Sequence, residues 1–160
     1  MNVPWLTLVI VIPAGAAILL LLVPRGATGA VKGLTVLTTV AVAVIVGALV
    51  ANMPHTAAAG ASPPVTFFYA EHRDWIPGIG ASYSLGLDGL SAWLLALNAA
   101  VFLIGALAVS RLHTERLRFY CALLLLTETA AAGVLLATDL LLFYAFWEGM
   151  LIPLYFLLSN

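Results

Sequence analysis

Apolar and polar positions alternate along the chain in long blocks. Five apolar stretches, roughly 5–23, 34–51, 85–109, 117–138 and 140–158, are separated by polar breaks of very unequal length. A helix crosses a hydrocarbon core of about 30 Å with about 20 apolar residues, so each block has the length of a membrane span. Blocks four and five touch, and one continuous helix over both would be about 63 Å long, twice what a bilayer accommodates. The chain is therefore expected to reverse at Thr138-Asp139, with Asp139 as the N-cap of the fifth helix, its side-chain oxygen accepting from an otherwise unpaired N–H. The pattern predicts an all-α membrane protein of about five transmembrane helices, forming a single membrane domain over 1–160.

Composition agrees. Of the 160 residues, 64% are hydrophobic and 8% charged, against about 25% charged in soluble domains, and the mean hydropathy is +1.14. With a net charge of −1 there is no basic patch to displace counterions from phosphates, which sets nucleic-acid binding aside. The lone Cys121 can neither form an internal disulfide nor supply a cluster-ligating set. His55, His72 and His113 are too scattered for metal-ligand spacing, and no phosphate-binding glycine loop is present. Clusters of small residues such as Ala130 to Gly133 read as places where helices pack closely.

The breaks set the orientation. Arg25 and Lys32 fall in the first, and Arg111, Arg116 and Arg118 with His113 crowd the third against Glu115 alone. Positive residues favour the cytoplasmic side, which places the N-terminus outside and the break at 52–84 on the same outer face. The flank MNVP carries no positive charge, so the first span reads as a retained anchor rather than a cleaved signal. The long second break, rich in Pro, Gly and aromatics, is expected to form an ordered extracytoplasmic cap, with Trp75 and Tyr83 suited to the interface.

Two carboxylates intrude into spans. Glu148 lies nine residues after Asp139, about 13 Å deep, and Glu128 eleven residues before it, about 16 Å deep. A carboxylate at the centre of a membrane helix raises its insertion free energy by about 2.5 to 3.5 kcal/mol, and such groups mark ion or proton paths. Phe146 and Trp147 are expected to desolvate Glu148. Pro153 leaves the carbonyl of Gly149 without its helical partner, loosening the helix one turn beyond Glu148. Glu148 is the first candidate for a proton relay. Glu128 is the second, with the alternative that Thr127 and Thr129 hold it as a neutral polar contact. Asp88, at the start of the third span, reads as a helix-start residue.

LGLDGLS at 85–91 and GVLLATDLLLFYAFWEGMLIPLYFLLS at 133–159 resemble the chain M subunit of bacterial NADH:quinone oxidoreductase, respiratory complex I, whose mitochondrial equivalent is chain 4. The resemblance implies the N-terminal part of a longer antiporter-like helical bundle, truncated relative to the family. Its glutamate matching Glu148 pairs with a lysine from a later helix in a proton-translocating chain. Asp88 matches the acidic residue of the LGxDGLS segment, without a defined role, and Glu128 has a less uniform counterpart. The implied function is proton translocation coupled to electron transfer from NADH to quinone. No cofactor is expected in this chain; flavin, iron–sulfur clusters, NADH and quinone are expected in partner membrane and peripheral subunits. The implied location is the bacterial inner (plasma) membrane. Two other readings stay open: a subunit of a multi-subunit cation/proton antiporter or membrane-bound hydrogenase, and a structural membrane scaffold in which Glu148 only packs.

Overall fold

The computed structural model describes residues 4–24, 26–53, 67–76, 78, 80–111 and 116–159. Five helices account for most of them: α1 Trp5–Leu22, α2 Thr28–Ala51, α3 Gly89–Ser110, α4 Leu117–Leu136 and α5 Leu140–Ser159. All five are long and apolar enough to cross a membrane, and the chain is a multi-pass membrane protein of the all-α class. α4 is the axial helix, packed against α1, α2, α3 and α5. α5 lies outermost, with only Leu142 and Pro153 buried.

Two helix starts differ from the expected ones. α2 begins at Thr28, six residues before 34, because a lysine near a helix end can cover apolar surface with its stem while its ammonium reaches polar surroundings, so Lys32 does not end the helix. The third span begins at Gly89 rather than 85, because residues 85–87 are a strand. That strand belongs to a hairpin between α2 and α3, β1 Tyr69–Ile76 paired antiparallel with β2 Ala81–Leu87. Tyr69 lies opposite Leu87 and Arg73 opposite Tyr83, with an irregularity between Asp74 and Ile76. Gly80, just before β2, has φ +68°, a left-handed conformation open to glycine at no steric cost.

The hairpin closes the end of the bundle where α1, α3 and α5 begin, and two carboxylates fasten it there. Glu71 on β1 accepts from the backbone N–H of Leu6 at 2.8 Å and of Thr7 at 3.1 Å, and from the Thr7 hydroxyl, which lies 3.1 Å from the Tyr83 hydroxyl. It caps α1 from outside the helix, satisfying donors that Pro4 cannot. Asp139 accepts from the N–H groups of Leu141 and Leu142 through Oδ1, and from the Ser82 N–H and hydroxyl through Oδ2. One carboxylate thus caps α5 and ties it to β2, as the Thr138 N–H and hydroxyl do by donating to Ser84. At the opposite end Arg118 donates to the Val23 carbonyl at 2.7 Å, placing a cation at the C-terminus of α1.

Two apolar clusters fill the bundle. The cluster near the hairpin joins Leu6, Val9 and Ile10 of α1 to Val42 and Val46 of α2 and Ala132 and Leu136 of α4. The cluster near the opposite end joins Ala17 and Leu20 to Val31, Ala106, Cys121 and Leu125. Between them, on α2 and α4, sit the buried polar side chains of the described residues: Thr35, Thr38, Thr39, Thr127, Glu128 and Thr129.

Candidate functional site

Asp88, Glu128 and Glu148, the three acidic candidates for a functional site, occupy three different environments. Asp88 is the N-cap of α3. Its Oδ1 accepts from the Ser91 N–H at 2.7 Å, while the Ser91 hydroxyl receives the Asp88 N–H at 2.9 Å, a reciprocal capping box. Hydrogen bonding from the Ser91 backbone, then from its side chain, holds the Asp88 carboxyl below the usual carboxylate range. The helix-start reading accounts for every bond the structure gives this side chain.

Glu148 projects from the exposed face of α5. The Tyr144 hydroxyl, one turn earlier, donates to its Oε1 at 2.6 Å. The aromatic shielding expected from its neighbours is not present. Phe146 turns the other way and lies over Gly133 of α4, where an added Cβ would come within 2.4 Å of the ring, and Trp147 stacks on Phe143 at 6.0 Å. Side chains two positions apart on a helix point about 160° away from each other, so Phe146 cannot both pack on α4 and cover Glu148. α5 continues through Pro153 without interruption to Ser159.

Glu128 is fully buried, with 0% exposure, and neither carboxylate oxygen has a hydrogen-bond partner among the described residues. Thr127 and Thr129 do not hold it. Their hydroxyls donate to the carbonyls of Leu123 and Leu125, one turn back on the same helix, the usual alternative for a threonine in a helix. The structure therefore does not bring the two intramembrane carboxylates together: one is enclosed, the other faces outward. Sequence spacing gave them similar depth but not helix rotation, and rotation decides the matter.

Between the hairpin and α5 a cavity of about 520 Å³ is lined by Arg73, Asp74, Trp75, Tyr83, Leu142 and Phe146. His72 is exposed on β1, 3.5 Å from Asp74; His55 and His113 fall outside the described residues. Glu71 and Ser82, which fasten the hairpin, were not singled out in the sequence. The acidic residue in a polar run, Glu71 before His72, Arg73 and Asp74, was the available signal, but it does not say which helix the carboxylate will reach.

No protein-family model matches the chain. Individual relatives do. NADH-quinone oxidoreductase subunit M of Mycobacterium tuberculosis is 33% identical over 193 residues, covering 99% of this chain and 33% of the relative. NAD(P)H-quinone oxidoreductase chain 4 1 of Picosynechococcus is 32% identical over 160 residues, covering 99% of this chain and 28% of the relative. F(420)H(2) dehydrogenase subunit M of Methanosarcina mazei is 39% identical over 92 residues, 58% of this chain and 18% of the relative. The chain spans about a third of the length of the first two. Over almost all of its own length, then, this chain is a homologue of the subunit M and chain 4 proteins of NADH-quinone oxidoreductases.

Proposed function

We propose that this chain is part of a proton-translocating membrane subunit of a quinone oxidoreductase complex, with Glu148 as a proton relay. The observation that carries the reading is the position of Glu148: a carboxylate midway along a membrane helix, on the face that this bundle leaves uncovered, with one tyrosine hydroxyl as its partner. In hydrocarbon such a group is costly unless a polar or cationic group of another helix meets it. A carboxyl whose proton affinity depends on the approach of a charge is what electrostatic coupling requires.

The electron donor belongs to the partners. Relatives named for NADH, NAD(P)H and F(420)H(2) all match the chain, and nothing among the described residues distinguishes them. Flavin, iron–sulfur clusters, nicotinamide and quinone are assigned to other membrane and peripheral subunits. Lys32, Arg111, Arg116 and Arg118 all lie at the end of the bundle away from the hairpin, which supports an inward-facing basic rim, an outward-facing hairpin and a plasma-membrane location.

The test is Glu148→Gln, which keeps size and hydrogen-bonding capacity but cannot release a proton. In the assembled complex it is expected to lower proton pumping, and the quinone reductase activity coupled to it, by about a hundredfold, the scale of a lost proton-transfer group. Glu148→Asp, which retains a titratable group, loses less. Normal pumping by an assembled Glu148→Gln complex would leave the scaffold reading in its place.

A further inference from the structure

The layer between the two apolar clusters has an unusual balance of donors and acceptors. On α2 the hydroxyls of Thr35, Thr38 and Thr39 donate to the carbonyls of Val31, Leu34 and Thr35. On α4 those of Thr127 and Thr129 donate to Leu123 and Leu125. Each threonine has therefore committed its one proton to its own backbone while its oxygen keeps acceptor capacity. On α1, Pro13 is buried between the same two clusters, and its missing N–H frees the Val9 carbonyl, one more acceptor. The layer is rich in acceptors and poor in donors.

Glu128 sits in that layer at 0% exposure, with both oxygens unpaired among the described residues. An ionised carboxylate accepts only, and no donor among the described residues reaches either oxygen; a protonated carboxyl carries an O–H donor. Among the described residues no opposing charge changes this. α1 and α3 contain no titratable side chain. α2 contributes only Lys32, whose charge acts on Cys121, two turns along α4 from Glu128. α5 contributes Tyr144, Glu148 and Tyr155, all on its exposed face. On α4 itself Arg118 is committed to the Val23 carbonyl, and Tyr120 and Cys121 lie toward that same end.

We propose that Glu128 is a second proton-holding site of this membrane domain, protonated in the arrangement seen here and able to release its proton when water enters the threonine layer. It is separate from Glu148 and does not depend on the relay assigned to that residue.

The test is infrared difference spectroscopy on the assembled complex in lipid, in a Glu148→Gln background so that Glu148 contributes no carboxyl signal. A protonated-carboxyl C=O band is expected at neutral pH, shifted in D2O and removed by adding Glu128→Gln, an amide that supplies donors to the same acceptors. Should that double variant fail to assemble, Glu128→Asp is expected to move the band rather than remove it. Absence of a band attributable to Glu128 at neutral pH would show an ionised group and overturn the proposal. So would a band that does not respond to D2O, which marks a sealed packing residue. Neither result bears on Glu148, whose relay role is read from pumping alone.

Discussion

A carboxylate at the first turn of a membrane helix satisfies orphan N–H donors and meets the positive end of the helix dipole. Glu71, Asp88 and Asp139 do this for α1, α3 and α5 on one rim, and for Asp88 the consequence is measurable. Asp88→Ala removes the side-chain half of the capping box, leaving only the backbone N–H of residue 88 on the Ser91 hydroxyl, and is expected to lower stability by about 1 kcal/mol, whereas Asp88→Asn, which still accepts from Ser91, costs less; thermal unfolding in detergent distinguishes them. The pH dependence follows from the sign of the shift. The folded carboxyl is held low by its Ser91 bonds, so its contribution is complete above the unfolded value of about 4 and is lost as pH falls through the lower folded value. Acid unfolding of Asp88→Ala should accordingly be less pH-sensitive than that of the parent. The capping role of Asp88 was legible in the sequence because it is local. That of Glu71 was not, because its partners Leu6 and Thr7 lie 65 and 64 residues away.

The elements show a similar division. Five helices were readable from apolar block length, and the reversal before α5 from the bilayer's thickness. The hairpin was not read, although residues 81–87 alternate in strict period two, because the run from 85 continues into apolar residues that look like helix. What makes β2 a strand is tertiary: Ser84 and Ser82 are engaged by Thr138 and Asp139, and Leu85 bridges to Ala137. The α4–α5 seam turns on Gly133, against which the Phe146 ring lies closer than any Cβ would allow. Gly133→Ala should force α5 outward and cost about 1 to 3 kcal/mol, the range for an overpacked core position. Adding Phe146→Ala should recover most of that loss relative to Phe146→Ala alone. A double-mutant cycle on unfolding measures the coupling, and strict additivity would mean the contact is not made.

For the whole molecule, orientation is the first thing to check. Cysteines placed at Trp75 on the hairpin and at Lys32 on the opposite rim should label from opposite sides, Trp75 from outside intact cells; labelling of both from one side would refute the arrangement. The sequence disclosed that two carboxylates lie at membrane depth, since depth follows from counting residues. It did not disclose that one is enclosed and the other uncovered, since that depends on how α4 and α5 are rotated by contacts such as Gly133 with Phe146. The tethering of α5 bears on how Glu148 can be moved. The helix is pinned by Asp139 and Thr138 to the hairpin, and along its length it is held to α4 by Phe146 over Gly133, by the buried Pro153 and by the edge-on contact of Phe156 with Phe119. A rod fastened along one side can roll but cannot swing. A neighbour pressing on the uncovered side of α5 would therefore turn Glu148 about the helix axis rather than carry it away from α4.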